Sequence, residues 1–116
     1  MDIYHVWFDP KPGIGDVELV ERLHAYLGHL QSADKIAGYR ITRRKLGLAP
    51  PGLSEFHVMI EVRDLAQLDA AFSHVASRAG VVEELHAAVN QWAQRASFAL
   101  YRDFPDPVRQ RGHERF

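Results

Sequence analysis

Apolar and polar residues alternate through the segment 55–62, in the middle of the chain. A period of two residues is typical of a β-strand, because successive side chains point to opposite faces of a sheet. The apolar positions are Phe56, Val58, Ile60 and Val62, and the positions between them are Glu55, His57, Met59 and Glu61. The first face predicts contact with a core. The second predicts contact with water, a partner chain or a ligand, because ionisable groups are costly to bury alone.

Three further segments have the composition of β-strands. Each is rich in β-branched or aromatic residues, and turn-forming residues follow it. They are Ile3–Phe8, Gly38–Lys45 and Ser97–Phe104. The loop Leu46–Leu53, which holds two prolines and two glycines, joins two adjacent strands. It is suited to a lid at a pocket mouth or to an arm over a partner subunit.

Three segments carry apolar residues at helical spacing. The first begins at Asp16, a predicted N-cap, and continues to about Ser32. The second begins with the capping-box sequence Asp64–Gln67, and Gly80 separates it from the third. The predicted apolar stripes are Leu19, Val20, Leu23, Leu27 and Leu30 in the first, Leu65, Leu68, Phe72, Val75 and Ala79 in the second, and Val82, Leu85, Val89, Trp92 and Ala96 in the third.

The predicted element order is therefore β-α-β-β-α-α-β. An α+β fold of the ferredoxin-like kind is the economical topology for this order, with a four-stranded antiparallel sheet and the helices on one face. A chain of 116 residues with 47% hydrophobic residues suits a single domain. We expect that domain to span residues 1–108 and a loosely ordered polar tail to span residues 109–116.

Composition and charge exclude several classes of function. The chain has no cysteine, which removes thiol catalysis and cysteine zinc sites. A formal net charge of -1 gives no electrostatic case for a nucleic-acid or anionic-membrane partner. No segment has the apolar length of a membrane span, and the amino terminus lacks the features of a signal peptide, so we expect a soluble cytoplasmic protein. The glycine pair at 13 and 15 lacks the rest of a nucleotide-binding fingerprint, and we expect no cofactor.

The polar face of the predicted sheet collects the candidate site residues. If the odd-numbered positions of the first strand face away from the helices, His5 and Trp7 lie beside His57. Applied to all four strands, the same parity gives the set His5, Trp7, Arg40, Thr42, Arg44, His57, Met59, Glu61, Tyr101 and Asp103. Such a mixture of aromatic and ionisable groups is typical of a ligand site.

Two other interpretations of this face remain open. Its arginines can pair with its acids, Glu61 and Asp103, across strands or across a dimer interface. His5 and His57 can also meet as metal ligands, with Glu61 as a third. Because no His-x-x-x-His or His-Glu-x-x-His pair is present, we expect no metal.

Three stretches, Tyr39–Gly47, Glu55–Glu61 and Leu100–Pro105, together with the element order resemble the dimeric α+β barrel superfamily, and within it a small bacterial family of unknown function. The resemblance covers residues 1–108. It implies a homodimer in which two sheets pack face to face, with a cavity in each protomer or barrel. Because members of the superfamily differ in activity, the fold alone does not fix the function.

Two functions follow as expectations. In the first, the protein binds or transforms a small organic anion in a monooxygenase-like pocket. His57 then serves as base or hydrogen-bond partner and Arg40 holds the anionic group. The remaining ligand-binding residues are His5, Trp7, Met59, Glu61 and Tyr101. In the second, the protein is a structural or interaction module, and the same face is a dry homodimer seam.

Overall fold

Within residues 1–105 and 111–112, which the computed structural model describes, the chain forms one four-stranded sheet and three α-helices. The strands are β1 (Asp2–Pro10), β2 (Gly38–Arg43), β3 (Phe56–Val62) and β4 (Ala93–Arg102). The helices are α1 (Asp16–Ser32), α2 (Leu65–Ala76) and α3 (Gly80–Asn90). This order confirms the predicted β-α-β-β-α-α-β pattern.

The strands are arranged β2-β3-β1-β4, and every neighbouring pair is antiparallel. This is the ferredoxin-like order that the sequence predicts. Strands β1 and β3 lie in the centre, while β2 and β4 form the edges. Apart from residues 111 and 112, the predicted polar tail lies outside the described residues.

The core lies between the helices and one face of the sheet, which we call the helix-side face. Four leucines of α1 are buried, and they pack against the buried apolar residues of the two central strands. The leucines are Leu19, Leu23, Leu27 and Leu30, and the strand residues are Phe8, Phe56, Val58 and Val62. The apolar parity of β3 and the leucine stripe of α1 are therefore confirmed. We call the opposite side of the sheet the open face.

The ends of the helices confirm one predicted cap and correct another. At the start of α2, the Asp64 carboxylate accepts a hydrogen bond of 2.8 Å from the Gln67 backbone N–H, as the capping box predicts. The N-cap of α1 is Gly15, not Asp16. Asp16 lies in the first helical turn, where its carboxylate is favoured by the helix dipole and pairs with Arg43 at 2.8 Å.

Two apolar stripes were predicted only in part. Leu65 and Phe72 of α2 are each 48% exposed, whereas this helix buries the predicted Leu68 together with Gln67 and Ala71. Helix α3 ends at Asn90, although the apolar residues at helical spacing continue through Trp92 and Ala96. Pairing of Ala93 with Pro10 draws this segment into β4, since backbone hydrogen bonds to the sheet outweigh helical periodicity there.

Trp92, predicted within α3, instead lies in the turn between α3 and β4. The Arg22 guanidinium lies 3.3 Å from the centroid of the Trp92 ring. One of its nitrogens donates a hydrogen bond of 2.8 Å to the Ala88 carbonyl. A cation over an indole face is favourable, so this contact ties α1 to the end of α3.

Candidate functional site

The open face carries the predicted site residues, as the strand register shows. Between β1 and β3, Trp7 pairs with His57 and His5 pairs with Met59. Between β2 and β3, Arg40 lies opposite Met59. The register of the remaining pairs adds Thr42, Glu61 and Tyr101 to the same face. The parity prediction is confirmed as geometry, whereas the functional roles of these residues stay predictions.

An aromatic cluster formed by His5, Trp7 and His57 occupies the centre of the open face. The Trp7 and His57 rings stack with centroids 4.5 Å apart and planes 11° apart, and His5 stacks on both. His5 Nδ1 and His57 Nε2 are 2.8 Å apart, so one imidazole donates a hydrogen bond and the other accepts it. Tyr101 meets His5 edge-on at 5.0 Å.

The surroundings of the two histidines disfavour their charged forms. Partial burial lowers the pKa of His57, and the neighbouring His5 lowers it further. Partial burial also lowers the pKa of His5. At neutral pH the pair is therefore uncharged, with one imidazole supplying the donor and the other the acceptor.

Acid should destabilise the protein through this pair. Because the folded state holds both pKa values below the ordinary histidine value of about 6.5, the unfolded chain takes up more protons below that pH. The stabilising contribution of the neutral pair is fully present above about pH 6.5, and it is lost as the pH falls from there through the folded-state pKa values.

The check is urea unfolding between pH 8 and pH 5 at one protein concentration. The free-energy difference between wild type and His5→Gln/His57→Gln should shrink below about pH 6.5. A His24→Gln/His29→Gln variant, altered on α1 outside the cluster, should keep the wild-type pH profile. If the profile of the cluster variant were identical to that of wild type, the acid sensitivity would have another source.

The predicted ion pairs of the open face do not form inside one protomer. Among the described residues, Arg40 and Glu61 have no ion-pair partner, and Asp103 lies 3.7 Å from the amino terminus instead. Among the same described residues, the Arg44 guanidinium makes only a long hydrogen bond of 3.5 Å to the Leu53 carbonyl. The predicted pairing of these arginines with Glu61 or Asp103 can therefore form only across a dimer interface.

The two histidines meet as the sequence predicts, but a third ligand does not join them. Within residues 1–105 and 111–112, no group of three His, Asp or Glu side chains is arranged to hold a metal ion. The proposed contribution of Glu61 is therefore absent from this geometry. A hydrogen bond, rather than a shared metal, accounts for the short contact between the rings.

A cavity that sequence reasoning missed lies on the other side of the sheet. This helix-side cavity has a volume of about 250 Å³ and is lined by β1, β3, β4 and all three helices. Most of its wall is apolar, including Val6, Leu27, Val58, Ile60 and Val89. Phe72 and Phe98 line it as well, and both are substantially exposed, so they form its apolar rim near the edge strand β4.

Four polar side chains line this apolar space: Tyr4, Tyr26, His86 and Asn90. The rings of Tyr26 and His86 lie 5.5 Å apart. Burial, with a smaller contribution from Tyr4, raises the pKa of Tyr26 to about 12, so its hydroxyl stays protonated at neutral pH. None of the four side chains forms a hydrogen bond to another residue of the described part of the chain. No sequence signal joins them, because they come from three separate elements.

Two open grooves flank strand β2. The edge groove lies between α1 and β2, and Arg40 lines it together with His24 and Tyr39. The second groove, which we call the loop cleft, lies between the β2–β3 loop and the end of the aromatic cluster, where Trp7 and His57 form part of its wall. The loop therefore borders a concavity, and its expected roles as a lid or as an arm over a partner subunit stay predictions. Among the described residues, no helix has the length and apolar character needed to cross a membrane.

Solved structures with the same fold share little sequence with this chain. The structure of At3g17210 from Arabidopsis thaliana has a TM-score of 0.70 and 7% identity, over 89% of this chain and 95% of that chain. A dimeric ferredoxin-like protein of unknown function from Thermobifida fusca has a TM-score of 0.59 and 19% identity, over 87% and 90%. A dimeric ferredoxin-like protein of unknown function from Bacteroides fragilis has a TM-score of 0.55 and 8% identity, over 88% and 95%. These likenesses show the fold alone.

A family model identifies the relatives of this chain more specifically than the structural neighbours do. No curated protein matches the chain significantly. The model of one family, DUF6614, matches residues 1–116, the whole of the chain. The predicted resemblance to a small ferredoxin-like family of unknown function is confirmed. The chain belongs to DUF6614, a family of unknown function.

Proposed function

We propose that this protein is a homodimer that binds a small, uncharged organic molecule in the helix-side cavity of each protomer. The observation that carries the proposal is the set of four polar side chains, Tyr4, Tyr26, His86 and Asn90, without hydrogen-bond partners among the described residues in an otherwise apolar cavity. Apolar walls with a few convergent polar groups are the usual composition of a small-molecule site.

The chemistry of the cavity favours an uncharged ligand. Among the described residues that line it there is no Arg, Lys, Asp or Glu. An ion inside it would lose its hydration without gaining an opposite charge, which is strongly unfavourable. The volume of about 250 Å³ suits a compound of one or two rings. The proposed uncharged ligand therefore differs from the organic anion that the arginines of β2 suggested.

The polar side chains define what the ligand should offer. Because Tyr26 remains protonated at neutral pH, its hydroxyl can donate a hydrogen bond to a carbonyl or hydroxyl oxygen. His86, next to it, can accept or donate according to its tautomer. A neutral aromatic compound with one oxygen substituent satisfies this arrangement.

The open face supplies the proposed dimer seam. His5, Met59 and Glu61, on the part of the open face away from the β2–β3 loop, are covered by no helix of the described chain, and the Thermobifida and Bacteroides proteins of the same fold are dimers. In an isologous interface, Arg40 of one protomer can pair with Glu61 of the other, and the reverse. The earlier hypothesis that His57 acts as a base and Arg40 holds an anion on this face remains a separate proposal.

Calorimetric titration with 2-naphthol, which has two rings and one hydroxyl, tests the ligand site. Replacing Tyr26 by Phe removes the donor and should weaken naphthol binding about tenfold, equivalent to about 1.4 kcal/mol for one buried hydrogen bond. Tyr39→Phe is the matched control, since its hydroxyl bonds His24 Nδ1 at 2.8 Å outside the cavity. Equal affinities of the two variants, or no saturable binding to wild type, would refute the proposal.

A further inference from the structure

The loop cleft has a different chemical character from the helix-side cavity. It measures about 440 Å³ and opens beside the β2–β3 loop. Arg43, Arg44 and Lys45 line it, with Glu55 as the only acid among the described residues of its wall. Its charge is therefore positive, whereas the chain as a whole is close to neutral.

One of these cations is already neutralised. Arg43 forms ion pairs of 2.8 Å with both Glu55 and Asp16. Glu55, the acid of the cleft wall, is therefore already paired. Within the described residues, the Arg44 guanidinium donates only one hydrogen bond, of 3.5 Å, to the Leu53 carbonyl. The side chain of Lys45 makes no hydrogen bond or ion pair within the described residues. Two adjacent cations at the cleft thus lack a counter-charge.

The rest of the wall is apolar or aromatic. Trp7 and His57 contribute their stacked rings from the sheet. The β2–β3 loop contributes the apolar residues Leu48, Pro50 and Leu53. An aromatic ring can insert between these two surfaces, because stacking on Trp and contact with aliphatic groups are both favourable for it.

We propose that the loop cleft is a second binding site, specific for an aromatic carboxylate. The ring lies between Trp7 and the apolar loop residues, and the carboxylate meets Arg44 and Lys45. A guanidinium binds a carboxylate in bidentate fashion, and the adjacent ammonium adds a second charge-assisted hydrogen bond. This site differs from the uncharged-ligand cavity in position and in charge, and neither proposal depends on the other.

A bare phosphate would use only half of this arrangement. It would contact the two cations but leave Trp7 and the loop residues without a partner. A nucleic acid is disfavoured as well, since two unpaired cations provide few phosphate contacts. The combination of ring surface and cation pair selects a compound that has both an aromatic ring and an anionic group.

The probe for this site is 2-naphthoate, the anionic counterpart of naphthol, titrated calorimetrically into the full-length protein. Arg44→Gln/Lys45→Gln should weaken naphthoate binding at least tenfold while leaving naphthol binding unchanged. Lys35→Gln/Arg78→Gln removes the same charges outside the cleft and is the control. Trp7→Leu should weaken naphthoate by a similar factor through the lost ring contact, without removing a charge.

Each other outcome contradicts the proposal. Equal losses in the cleft variant and the control would mean that net charge, not the cleft, attracts the anion. Equal affinity for naphthoate and inorganic phosphate would exclude the ring contact. Absence of saturable naphthoate binding to wild type would exclude the site, while leaving the naphthol result for the helix-side cavity unaffected.

Discussion

Replacing Met59 by Arg is expected to convert the dimer into folded monomers. Met59 lies in the central strand β3, half-buried on the open face, with His5 on one side and Arg40 on the other. An arginine at position 59 would add a second positive charge to the seam, beside Arg40. Its partners on the neighbouring strands are His5 and Arg40, and neither is an acid. Burying an unpaired charge in an interface costs several kcal/mol, enough to abolish a dimer of moderate affinity.

Arginine is chosen over glutamate because Glu at position 59 would lie opposite Arg40 and could pair with it. The matched control is Ala25→Arg, which adds the same charge at an exposed position of α1. Light scattering after gel filtration should give twice the chain mass of 13.2 kDa for wild type and control, and the chain mass for Met59→Arg. Far-UV circular dichroism must show that the variant stays folded. A dimeric Met59→Arg protein would place the interface elsewhere.

The open face could be assigned from sequence because strand periodicity is a strong constraint. A shift of one residue in β3 would expose Phe56, Val58 and Val62, all of which are buried. The same constraint placed His5 beside His57, 52 residues away in the chain, and they are in hydrogen-bond contact. The parity of a strand position determines the face that its side chain occupies, so the structure confirms these predicted positions.

Helical periodicity was a weaker guide at the end of α3. The apolar residues at 89, 92 and 96 continue a helical spacing, yet only the first lies in the helix. β4 begins at Ala93 because this segment can hydrogen-bond to β1, a long-range interaction that local periodicity does not report. Sequence reasoning that weighs only local spacing cannot anticipate such competition.

The helix-side cavity could not be predicted because it depends on what the packing leaves empty. Tyr4, Tyr26 and His86 each look like ordinary core or surface residues within their own segments. Their convergence depends on how α1 and α3 sit on the sheet. Predicting the open-face site, by contrast, required only the alternation of side chains along the strands.

Filling this cavity should abolish naphthol binding. Val89 lies on α3, lines the cavity and packs against the core, so a Trp side chain at this position would occupy the space assigned to the ligand. Because overpacking costs about 1–3 kcal/mol in many cores, the thermal stability of the variant must be measured alongside binding. Val81→Trp is the matched control, since Val81 is on the same helix, is 55% exposed and does not line the cavity.

The most direct measurement is calorimetric titration of naphthol into folded Val89→Trp and Val81→Trp proteins. Our account predicts one site per protomer in wild type and Val81→Trp, and an affinity at least about a hundredfold lower in Val89→Trp, or a loss of about 2.7 kcal/mol. Undiminished naphthol binding by a folded Val89→Trp protein would contradict the claim that the helix-side cavity is the ligand site.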